Sequence, residues 1–216
     1  YVYNKVETLT DGLKELKFKA RIGQSTDNFD ISFYDENNFN DSGYVFRANV
    51  QCGNVSPQNP SVSLIGYYAN PGQFYEFRVT QVNDLRDTEN SHPDQRIEMA
   101  LYKWVNGFEI KIGASQFVNN SDLKSSRREM RIGLYNVSSS QTRIKCVYGA
   151  ANFTRNDTSA PLTMGTFGVL SSECEASFSN LGRAVANSVA DPTGSWSPLM
   201  NSSYWYTPTG VYEYRT

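Results

Sequence analysis

The chain has 216 residues, 19% charged and 13% aromatic, with a formal net charge of −2 and a single histidine. That length suffices for one large domain with a sizeable core. The charge offers no general drive toward nucleic-acid phosphates, one His92 excludes a multi-histidine metal site, and no apolar run nears the ~18 residues of a membrane-spanning helix. Uncharged polar residues are abundant, with 20 Asn, 24 Ser and 14 Thr, and Tyr (14) and Phe (12) lead the aromatics. This excludes a disordered chain, which is poor in aromatics, and a helical bundle, which is rich in Ala, Leu, Glu and Lys. The chain opens at Tyr1 with neither Met nor a secretory leader, as expected of a product processed or excised from a longer one.

Period-two alternation dominates from the N-terminus onward. Across residues 15–23, Leu16, Phe18, Ala20 and Ile22 share one face and Lys17, Lys19 and Arg21 the other, predicting a half-buried strand with a basic outer row. Strands follow over 30–37, 43–50 and 61–68, and a turn at Asn70-Pro71-Gly72 leads into another over 73–82. A polar loop, 83–95, precedes 96–115, where Asn106-Gly107 predicts a hairpin with a type I′ turn, because both residues tolerate positive φ. Residues 128–137 and 142–150 predict a second hairpin, and 164–172 with 174–182 a last strand pair. Strands at this near-regular spacing predict an all-β antiparallel sandwich with little helix. One helix is expected over 181–190, with Asn180 as N-cap and Asp191-Pro192 as the stop. The aromatic, turn-rich end and the similar opening, Tyr1 to Val6, are expected to pack as edge strands of the sandwich or to pair with a neighbouring subunit. The chain thus divides into a sandwich over 1–183 and an aromatic extension over 184–216.

Seven Asn-x-Ser/Thr sequons begin at Asn40, Asn54, Asn119, Asn136, Asn152, Asn156 and Asn201, where composition alone gives roughly 3.5. The excess points to an extracellular or cell-surface glycoprotein, and Asn-rich loops without glycans are the plainer alternative. The cysteines, Cys52, Cys146 and Cys174, fit no zinc spacing. Cys146 and Cys174 fall in two late strand patterns, which allows a disulfide between them or two inward-facing core thiols. The 35–41 loop, with Asp35, Asn37 and Asp41, offers oxygens of the kind Ca²⁺ takes but lacks an EF-hand's spacing and glycine, so a polar turn competes with a calcium site. No other cofactor is expected.

The order of the segments is familiar. Gly43 to Arg47, Tyr75 to Arg78, Leu101 to Gly107, Arg131 to Leu134 and Gly165 to Asn180 together resemble the concanavalin A-like, laminin-G-like jelly-roll sandwiches. These include sugar-binding modules and keto-disaccharide hydrolase-type domains. The resemblance spans roughly Leu16 to Gly182. It implies a jelly-roll sandwich and leaves function open among sugar binders, adhesion domains, glycoside hydrolases and polysaccharide lyases.

Each enzyme reading is tested on its residues. The laminarinase-type strand E-x-D-x-E, whose alternate carboxylates share a cleft, does not occur; Glu173 and Glu175 lack a third acid. Arg127 to Arg131 spells the R-x-E-x-R of jelly-roll alginate lyases, yet no Gln-x-His follows and Tyr102-Lys103 is not Tyr-x-Lys. Sugar recognition asks for aromatic faces beside planar polar groups. Tyr68, Tyr75, Tyr102 and Trp104 supply the first, and Arg47, Arg78 and Glu76 the second, with Arg47 and Arg78 expected on one concave surface. The leading expectation is non-catalytic recognition of a polysaccharide or glycan. A structural subunit of a surface layer, fibre or virion, and a jelly-roll lyase or hydrolase, are the alternatives.

Overall fold

The computed structural model describes residues 3–5, 15–19, 28–33, 42–55, 60–70, 72–82, 96–119, 121–123, 127–172, 174–198 and 203–206. They contain sixteen strands and no helix: β1 Tyr3–Lys5, β2 Glu15–Lys19, β3 Asn28–Phe33, β4 Gly43–Val55, β5 Ser61–Asn70, β6 Gln73–Gln81, β7 Arg96–Val105 and β8 Phe108–Lys111 in the first half. The second half adds β9 Gln116–Asn119, β10 Arg128–Ser138, β11 Gln141–Tyr148, β12 Ala151–Asp157, β13 Thr166–Ser172, β14 Cys174–Ala186, β15 Pro192–Pro198 and β16 Ser203–Tyr206.

Strict alternation explains why these segments form two sheets facing one core. In β4, Tyr44, Phe46, Ala48, Val50 and Cys52 turn inward; in β10, Met130, Ile132 and Leu134 do the same, and all are buried. Sheet A runs β1-β2-β14-β4-β10-β11-β12, with β15 also on β14, and sheet B runs β16-β3-β13-β5-β6-β7-β8, with β9 also on β7. All these pairings are antiparallel. The result is the all-β antiparallel jelly-roll sandwich that the segment order implies. Phe46 of sheet A meets Phe167 of sheet B with ring centres 5.2 Å apart, and Phe77 meets Phe153 edge-on at 6.0 Å. Each such fully buried ring contributes roughly 1.5–3 kcal/mol.

The turn at Asn106-Gly107 forms as expected: φ is 52° and 80°, and Val105 pairs with Phe108 across it. The helix expected over 181–190 does not. Strand β14 continues to Ala186, held by nine pairings to β4 such as Phe178–Val50 and Val185–Tyr44. Asn180, read as a cap, has φ 53° at the register break between Ser179 and Gly182, which makes it a bulge residue. The strand then ends in a turn where Asn187 Oδ1 accepts from Val189 N and Asp191 N, each at 3.0 Å. Asp191-Pro192 opens β15 instead of stopping a helix. Local preference for helix in Leu181 to Ala186 is overridden by a long tertiary ladder.

Of the aromatic extension, β15 joins sheet A beside β14 and β16 joins sheet B beside β3; at the other end β1 pairs with β2. Among the described residues no helix is long and apolar enough to cross a membrane.

Candidate functional site

Residue parity in β6 decides what faces outward on sheet B. Tyr75, Phe77 and Val79 belong to the core, so Phe74, Glu76 and Arg78 stand on the opposite face. Cross-strand register then builds rows on that face. Ile65, Glu76, Tyr102 and Lys111 lie directly opposite one another across β5, β6, β7 and β8, and Phe74, Trp104 and Glu109 form the next row.

Glu76 is the anchor of this surface and is 1% exposed. Its Oε1 accepts from Ser63 Oγ at 2.7 Å and Arg78 Nε at 2.8 Å; its Oε2 accepts from Arg78 Nη2 at 2.6 Å and Trp104 Nε1 at 2.8 Å. Burial by itself pushes the carboxyl up, but the Arg78 charge and these four bonds outweigh it and hold Glu76 below the usual carboxylate value. Arg78 also donates to Glu109 at 2.6 Å and lies 4.2 Å above the Tyr102 ring. Glu98 accepts from Lys111 at 2.9 Å and from the Ser115 hydroxyl. Alongside runs an aromatic ladder: Tyr68 to Phe74 at 5.6 Å, then Phe74 stacked on Trp104 at 5.4 Å. The arrangement fixes Trp104 and Arg78 rigidly and leaves Glu98, Tyr102, Glu109 and Lys111 at least partly exposed.

Of the residues named from the sequence, Glu76, Arg78, Tyr102 and Trp104 come together here, and Tyr68 joins them through Phe74. Tyr75 does not. It shares parity with Phe77 and Val79, is fully buried, and faces the core. Arg47 does not either, because β4 belongs to sheet A; its guanidinium lies 4.1 Å from the Trp196 ring. Sequence reading missed Ser63, Phe74, Glu98, Glu109 and Lys111. The two-residue turn held the signal for two of them, since it forces Glu109 opposite Trp104 and Lys111 opposite Tyr102.

Tyr75 has a different task. Its hydroxyl donates to Asp157 Oδ2 at 2.6 Å and accepts from Leu162 N at 2.9 Å. Burial first, and Asp157 second, push this hydroxyl far above its ordinary range. Lys103, buried on the same side of β7, donates to Asp157 Oδ2 at 2.8 Å, to Ala160 O at 2.9 Å and to Ser159 O. All three ammonium protons are thus committed, and the group pins the segment after β12 against the sandwich.

The remaining sequence candidates scatter. The calcium residues Asp35, Asn37 and Asp41 lie outside the described residues, and among the described ones no three metal-ligating side chains cluster. The disulfide between Cys146 and Cys174 is not formed: Cys146 is a free thiol buried in the core, where burial pushes its pKa well up. Glu129 and Arg131 of the R-x-E-x-R run pair with each other at 3.2 Å on sheet A, away from Tyr102. Among the sequons, Asn119, Asn152 and Asn156 are exposed. Asn136 is half-buried, accepting from Tyr67 and Thr142 at 3.2 Å each and donating to Thr163 O at 2.8 Å. Asn40 and Asn201 lie outside the described residues, and of Asn54 only the backbone is described.

No protein-family model matches the chain, and no curated protein sequence does. Solved structures do. The carbohydrate-binding module CBM66 from Bacillus subtilis is similar at 11% identity with a TM-score of 0.47, over 85% of this chain and 90% of that one. A legume lectin-like domain from Entamoeba histolytica is similar at 8% identity and 0.46, over 87% and 90%. A Bacillus licheniformis beta-glucanase is similar at 12% identity and 0.42, over 85% and 96%.

Proposed function

We propose that this chain is a non-catalytic carbohydrate-recognition module that binds a polysaccharide or glycan along the outer face of sheet B. The observation that carries this reading is the convergence of Tyr102 and Trp104 with Arg78, Glu98, Glu109 and Lys111 on adjacent strands of that face. Aromatic surface offers a sugar ring an apolar contact, and oriented charged groups bond its hydroxyls. Glu76 supports binding over hydrolysis. Both its oxygens are occupied and its carboxyl is held ionised, whereas a general acid needs a raised pKa and a free proton. The excess of sequons supports an extracellular or cell-surface setting for such a module.

The test is a panel of neutral and acidic polysaccharides, reading bound protein together with released reducing ends and unsaturated uronate products. Retention on a polymer without product, weakened about tenfold by Trp104→Ala in a folded variant, is the expected result. Product release, or retention indifferent to both Trp104→Ala and Arg78→Ala, would overturn it.

A further inference from the structure

We propose that sheet A carries a second, separate site on its outer face: an oxyanion site for the carboxylates of an acidic polysaccharide, centred on Arg47 and Arg131. These two residues lie directly opposite each other on β4 and β10. Side chains so placed start about 4.5–5.5 Å apart, and like charges there repel. Arg131 has one acid, Glu129, with Oε1 3.2 Å from its Nε but out of hydrogen-bond alignment. Arg47 has none among the described residues; its contacts there are Asn180 Oδ1 at 3.4 Å and the Trp196 ring. Both Nε atoms are shielded from solvent and bond to nothing.

Each guanidinium has five donors, so this pair is under-coordinated, with two positive charges facing one carboxylate. Two neighbouring cations of that face, on β11, have partners of their own. Lys145 pairs with Asp191 at 2.7 Å, and Arg143 donates to Ser188 O at 2.6 Å. An oxyanion seated against the terminal nitrogens of the part-buried Arg47 and Arg131 would complete both and relieve their repulsion.

The surroundings hold Arg47 in place for this. Gly182 pairs with Arg47 from the other side, and a Cβ there would stand 3.3 Å from Arg47 Nε and 3.6 Å from Trp196 Cε3. The missing side chain leaves room for the guanidinium to approach the indole to 4.1 Å. A planar fork fixed in this way matches a carboxylate, which accepts two parallel N–H bonds.

The experiment measures affinity of the whole chain for polygalacturonate, dextran sulfate and neutral dextran at low and near-physiological salt. The variants are Arg47→Gln, Arg131→Gln and, as a control, Arg143→Gln, which removes the same charge from the same face. Thermal melts verify that each is folded. Polygalacturonate binding should fall about tenfold in the first two and change less than about twofold in the control. An equal loss in Arg143→Gln would mean diffuse charge attraction and overturn the site. Binding of dextran sulfate alone would overturn the carboxylate assignment, and indifference to Arg47→Gln and Arg131→Gln would overturn both. Neutral-polymer binding through sheet B reads out separately, since it involves neither arginine.

Discussion

Tyr75→Phe keeps the ring and its packing and removes one oxygen, so its effect isolates the hydrogen bonds beneath the sandwich surface. That oxygen bonds Asp157 at 2.6 Å and receives Leu162 N at 2.9 Å. A bond to a charged acceptor contributes about 1.5–3 kcal/mol, and a buried N–H left without a partner costs about 1–3 kcal/mol. Lys103 continues to neutralise Asp157, which argues for the lower part of both ranges, about 3 kcal/mol together. For a chain of this length Tm moves about 2–4 °C per kcal/mol, so the variant should melt about 6–12 °C lower. Tyr67→Phe is the control. Its hydroxyl makes one neutral bond, 3.2 Å to Asn136 Oδ1, an oxygen that Thr142 also serves, so about 1 kcal/mol and about 2–4 °C are expected. Calorimetry on both variants, with amide exchange read at Leu162, makes the comparison. Equal melting temperatures, or wild-type protection of the Leu162 amide in Tyr75→Phe, would refute this account.

Glu76 predicts a pH signature. Its carboxyl is held below the ordinary 4.5, so its contribution to stability is present above that value and is lost as pH falls through the lower, folded-state value. Glu76→Gln, which sets an amide where Arg78 and Trp104 both donate and leaves Arg78 with Glu109 as its carboxylate, should cost about 2 kcal/mol at neutral pH, and the gap from wild type should narrow in acid; a gap that stays constant from neutral pH into strong acid would count against it. The sequons differ in access. In a glycosylating host, peptide mass spectrometry should find glycans at Asn152 and Asn156 and none at Asn136, whose carboxamide is bonded to Tyr67, Thr142 and Thr163. Full occupancy at Asn136 in folded protein would show those bonds to be dispensable.

Strands with at least three successive apolar residues in the inner row were legible from the amino-acid order alone, as β4, β6, β7, β10 and β11 demonstrate, even where a polar residue such as Lys103 of β7 ends the row. Strand β12 was not, because its inward positions are Ala151, Phe153, Arg155 and Asp157, and the last two are charged. Strand β15 was hidden behind residues 181–190, read as helix from their Ala content, although 181–186 end β14 and pair with β4, more than a hundred residues earlier. The candidate site divides in the same way. Parity along β6 was enough to separate Tyr75 from Glu76 and Arg78, and weighing Phe77 and Val79 as one row with Tyr75 would have placed it in the core. No local feature could separate Arg47 from Arg78, because the assignment of β4 and β6 to different sheets is made by pairings with strands remote in the chain.

The strand order has a consequence for synthesis. Strand β14 sits between β2 and β4, and β13 sits between β3 and β5. Phe178 of β14 pairs at once with Leu16 and Val50, each more than a hundred residues earlier. A nascent chain that has not reached residue 166 therefore has no partner from β4 or β5 onward to which β2 or β3 can join. Its two half-built sheets carry open edges, the form most prone to pairing with the wrong neighbour. Closure by such distant contacts belongs to the slow end of folding, milliseconds to seconds. The N-terminal strands are made first and secured last, so a ribosome stalled before β13 would leave them waiting for the two strands that lock both sheets.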